Sequence, residues 1–101
     1  MANSVYITRL KAAIFRETGS KPEHVETVPV TETFQGRTVW EGDVEVFSIP
    51  DHPKAKTCFA WSYDDGPKTI FKIVLAIPPI TTPLDAVRAA VVAQLKQDAN
   101  N

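Results

Sequence analysis

Cysteine is nearly absent. Cys58 stands alone among 101 residues, so no internal disulfide can form. A lone thiol fits a reducing compartment. No run approaches the roughly 18 apolar residues that cross a bilayer. The opening MANSVYITRLKAAIF lacks the basic, apolar and small-residue order of a secretory leader. A cytoplasmic protein without membrane contact is the expectation. The four glycines are scattered singly, so no glycine-rich loop cradles phosphate. Charge of one sign is also lacking. The net charge of −1 gives no global pull toward nucleic acid or membrane. His24, His52 and Cys58 are the best metal ligands, and no pair has zinc spacing. No metal and no other cofactor is expected.

What is there suits one ordinary globular domain over residues 1–101, with 44% hydrophobic and 23% charged residues. The most apolar stretch is Thr57 to Ile77. Phe59, Trp61 and Tyr63 alternate with Cys58, Ala60 and Ser62, which is the period of a strand. Asp64-Asp65-Gly66-Pro67 supplies turn chemistry. Lys68 to Ile77 is rich in β-branched residues and reads as the paired strand. A loop of four would mix Trp61 with Ile70 and Phe59 with Lys72. A loop of three or five segregates them, with Phe59, Trp61 and Tyr63 beside Phe71, Ile73 and Leu75. The segregated register is the expectation.

Upstream, Ile7, Leu10 and Ile14 fall at helical spacing, with Tyr6 and Ala13 alongside. Asn3 or Ser4 suits the cap of this first helix and Gly19 its end. Val28, Val30 and Phe34 alternate with polar residues, and Pro29 places that strand at a sheet edge. Phe34-Gln35-Gly36 predicts a three-residue hairpin loop that pairs Val30 with Trp40. The strand that follows buries Trp40, Val44 and Val46. It turns Glu41, Asp43 and Glu45 the other way. Thr82-Pro83-Leu84-Asp85 carries the marks of a helix start: a threonine cap, proline at the first position, an acid three on. Leu84, Val87, Val91 and Leu95 form its stripe, and the chain from Gln97 onward should fray. The sum is an α+β two-layer sandwich of order α-β-β-β-β-α. Its two helices share one face of an antiparallel four-stranded sheet.

This order resembles that of double-stranded-RNA-binding domains, in topology alone. Those domains carry a lysine cluster at the start of the final helix. Here that place holds Thr82 to Asp85, with an acid and no lysine, so no RNA contact is implied.

Chemistry is sparse. Cys58 with Asp51 and His52 one loop away is the nearest thing to a nucleophile set, and a packed strand cysteine is the plainer reading. No catalytic residue is assigned, and an interaction module is favoured over an enzyme. Its expected surface is an open sheet face. There Cys58 and Ser62 lie between an acidic strand (Glu41, Asp43, Glu45) and a lysine strand (Lys68, Lys72), as a groove for a protein or peptide partner. A small-molecule pocket between helices and sheet, lined by Trp40, Trp61 and Tyr63, is the alternative. Nucleic-acid binding through Arg9, Lys11 and Arg16 on the first helix is the weakest reading. Finally, Ile73 to Ile77 is apolar on both faces, yet a plain meander leaves it at an edge. A reordered sheet, a helix or a second copy of the chain would cover it. A homodimer is expected, with Ile70 and Val74 at its interface.

Overall fold

The structure, a computed structural model, describes residues 4–99. Six elements follow in order: α1 (Ser4–Thr18), β1 (Glu23–Phe34), β2 (Arg37–Ser48), β3 (Thr57–Asp65), β4 (Lys68–Leu75) and α2 (Pro83–Ala99). The strands form one antiparallel sheet in the order β1-β2-β3-β4, a plain meander. Class and element order are those read from the sequence.

Local chemistry sets the helix ends. Gly19 takes φ +75° and donates its N–H to the Phe15 carbonyl (2.8 Å), which closes α1. At α2 the Thr82 hydroxyl accepts the Asp85 N–H (3.1 Å). The Asp85 carboxylate in turn accepts the Thr81 and Thr82 N–H groups (3.0 and 3.1 Å). This is a reciprocal cap with Pro83 at the first helical position. Ser4 is already helical, and Asn3 lies outside the described residues.

The hairpins differ from expectation. Both turn in two residues. Phe34 pairs with Arg37 across Gln35-Gly36, whose φ values of 53° and 77° are those of a type I′ turn. A bulge between Glu32 and Thr33 makes Val39 the extra residue of β2 and restores the alternation. Val30 therefore faces Gly42, with Trp40 beside it on the same face. A Cβ at Gly42 would lie 3.2 Å from the Trp40 ring, so glycine lets the indole lie across the strand.

Asp65 pairs with Lys68 across Gly66-Pro67. This parity is opposite to the segregated register. Tyr63 pairs with Ile70, Trp61 with Lys72 and Phe59 with Val74, while Cys58 pairs with Leu75 and Ala60 with Ile73. Each face of β3–β4 thus carries apolar side chains, and each needs a cover. Leu10 and Ile14 of α1 pack with Phe47, Cys58, Ala60, Ile73 and Leu75 on one face. Ala86 and Val87 of α2 pack with Val44, Val46, Phe59, Trp61 and Val74 on the other. The helices lie on opposite faces, so the molecule has three layers where two were expected. One helix cannot reach both sides of a sheet. The doubly apolar character of Ile73 to Leu75 is met by this arrangement.

The helices are offset, α1 over β3 and β4, α2 over β1 and β2. Only Glu45–Ala60 to Ser48–Thr57 joins β2 to β3, four pairs in all. Beyond this seam, Trp40 meets Trp61 edge to face (5.6 Å between centroids, 65°). The Ser62 N–H, without a strand partner on the β2 side, donates to the Tyr6 hydroxyl (3.1 Å). Past Val91, α2 outruns the sheet. Leu95, expected in the stripe, is 53% exposed, and the helix continues to Ala99 where fraying was expected.

Trp61 is 3% exposed. Trp61→Ala should destabilise the fold by roughly 3–5 kcal/mol, read as a lower denaturation midpoint. The hydrogen bond from the Thr81 backbone, and then that of the Thr82 side chain, holds the Asp85 carboxyl below its ordinary value. A lowered folded-state pKa stabilises above the unfolded aspartate range and is lost as pH falls through the folded value. Asp85→Asn should therefore lower stability at neutral pH and flatten the acid limb of a stability–pH curve, with the slope above pH 7 unchanged.

Candidate functional site

The expected open groove does not form. Glu41, Asp43, Glu45, Cys58 and Ser62 do share a face, but α1 covers its β3 portion. Cys58 and Ala60 are fully buried there. Lys68 and Lys72 lie on the opposite face, because the two-residue turn reverses their parity. Lysine and acid strands are therefore not two walls of one groove. Of the two interface residues, Ile70 is half-buried beside Tyr63, and Val74 packs into the chain's own α2-side core.

Nor does an aromatic pocket form. The Trp40–Trp61 contact is filled by Val30, Val44 and Val46 within one packed cluster. Tyr63 stands at the far end of β3, 42% exposed.

His52 is engaged by its own loop, and Cys58 is buried beneath α1. The His52 Nδ1 accepts the N–H groups of Lys54 and Ala55 (both 3.1 Å). Lys56 Nζ donates to the Pro50 and His52 carbonyls (2.9 and 2.8 Å). These bonds staple the loop between β2 and β3 and engage the imidazole through Nδ1. Burial pushes the Cys58 thiol up to about 12. Thiol reagents should label Cys58 only as the protein unfolds. Rapid labelling of native protein at pH 7 would contradict this environment.

The sequence reading missed one cluster. Glu45, placed on the wet side of its strand, is 1% exposed. Its Oε1 bonds His24 Nε2 (2.8 Å) and accepts the Thr27 hydroxyl. His24 also meets Phe47 edge to face (5.3 Å). The bulge after His24 brings the imidazole and Thr27 to one carboxylate, since Thr27 pairs with Glu45 and His24 with Phe47. The Thr27–Glu45 pairing was the only available signal, and it needed the register first.

Above this cluster lies the uncovered part of the α1 face. The offset of α1 toward β3 and β4 leaves an open groove of about 740 Å³ between the helix and the β1–β2 ribbon. Ile7, Thr8 and Lys11 line the helix wall, and His24, Thr27 and Asp43 line the sheet wall. The basic side of α1 is divided. Arg9 lies over the Phe71 ring (5.6 Å), while Lys11 turns into the groove. At about 100° per residue the two sit about 200° apart on the helix, whereas Arg16, seven residues past Arg9, returns to the Arg9 side.

No group of three or more metal-binding side chains is assembled among the described residues, and no helix among them is long and apolar enough to cross a membrane. Compared with family models, curated proteins and solved structures, the chain matches none.

Proposed function

We propose that the chain is a small, non-catalytic interaction module that pairs with a second copy of itself along the free edge of β4. The contrast between the two sheet edges supports this reading. β1 is blunted: Pro29 has no N–H to donate, and its ladder shifts register near both ends. Both features oppose pairing with another chain. β4 has neither. It contains no proline and pairs with β3 without a shift from Lys68 to Leu75.

The direction of the free backbone groups follows from one bond. Ala76 donates its N–H to the Thr57 carbonyl, so even-numbered residues turn toward β3. Thr69, Phe71 and Ile73 then present N–H and C=O outward, and Leu75 its N–H alone, since its carbonyl accepts the Ile77 N–H (2.9 Å). Two-fold pairing suits this row, as the same patch meets itself. Centring the axis on Phe71 or Ile73 sets Lys72 opposite Ile70 or Val74 of the second copy. Centring it on Lys72 would oppose two ammonium groups and is disfavoured. The interface is thus one of backbone, with Ile70 and Val74 as neighbours rather than anchors. A cytoplasmic setting belongs to the same reading, supported by the single buried thiol.

Light scattering at micromolar concentration should give twice the 11.2 kDa chain mass. Thr69→Pro removes an outward N–H and leaves the β3–β4 ladder intact. It should yield a monomer with unchanged circular dichroism. A wild-type monomer would sink the proposal.

A further inference from the structure

The groove beside α1 carries a feature that strand pairing does not use. Lys11 and Asp43 line its facing walls with opposite charges. Neither has an ion-pair partner among the described residues, and they do not bridge to each other. Lys11 is half-buried, which lowers the local dielectric and strengthens any charge it meets. Glu45 beneath is already engaged by His24 and Thr27, so Asp43 is the carboxylate of this wall left to a ligand. An ammonium and a carboxylate held apart across open space select a molecule bearing both charges in the reverse order.

We infer that this groove binds a small zwitterion, a free amino acid or a short peptide. Its ammonium lies against Asp43 and its carboxylate against Lys11. His24 is oriented by its bond to Glu45 through Nε2, so Nδ1 is the ring nitrogen left for a polar group of the ligand. The groove is open and exceeds what one amino acid fills. The site is at the β1–β2 end, across the sheet from β4, so it stands or falls apart from dimerisation.

The test is an amide-resolved NMR titration of the full chain. The probes are the twenty free L-amino acids and L-alanyl-L-alanine, with N-acetyl-L-alanine and L-alanine methyl ester as singly charged controls. Saturable shifts at Lys11, His24, Thr27 and Asp43 with at least one zwitterion, and none with the controls, are expected. A response to the dipeptide alone assigns the peptide class; a response to free amino acids assigns theirs. Lys11→Met and Asp43→Asn each remove one charge at the surface and should weaken binding roughly tenfold or more. The spectra themselves report whether each variant stays folded. No saturable shift with any zwitterion, equal shifts with the controls, or full-strength binding by both variants would overturn the inference.

Discussion

Which side chains of β4 share a face with those of β3 depends on the parity of one turn. Gly66-Pro67 sets Asp65 opposite Lys68, and all pairings of β3 with β4 follow. A turn one residue longer would send the large aromatics and the aliphatic row of β4 to one face and leave the other wet. The two-residue turn instead gives each face a share of both. Neither face can stay in water, so the chain needs a helix on each side. Its two helices, one at each end of the sequence, meet that need. Glu45 is drawn into the same constraint. It stands beside Ala60 on a face that the rest of the fold has made apolar, and its carboxylate is kept there by His24 and Thr27.

The parts legible in the sequence were those whose cause is local. The α2 cap lies within five consecutive residues, and hydroxyl and carboxylate find the N–H groups at fixed offsets. Gly19 ends α1 because no other residue so readily takes its backbone angle. The burial of Leu10, Ile14, Val44 and Val46 followed from periodicity alone. Register was less legible, because β3 and β4 are apolar at odd and even positions alike. Periodicity then cannot choose between faces, and segregation of greasy from polar residues is a misleading guide. The His24–Glu45 cluster was hidden for a related reason. It depends on a bulge at Val25, and a bulge leaves little trace in composition.

Two titratable residues that looked available for chemistry are used in architecture. His52 organises a loop by accepting two backbone N–H groups. Cys58 sits where α1 packs on the sheet, and its small side chain suits that contact. What remains for function is at the margins: one free edge, and the strip of sheet that α1 leaves bare.

The seam between β2 and β3 has a consequence for how the chain reaches this form. Four pairs join two long ribbons, and each ribbon closes through a turn of two residues. Most strand pairing is therefore between near neighbours in sequence, and loop closure costs little entropy. The ribbons are self-contained units of search. Bringing them together across the loop stapled by His52 is the step that spans more chain. It is also the step that sets Trp40 against Trp61 and gives each helix a complete surface to settle on.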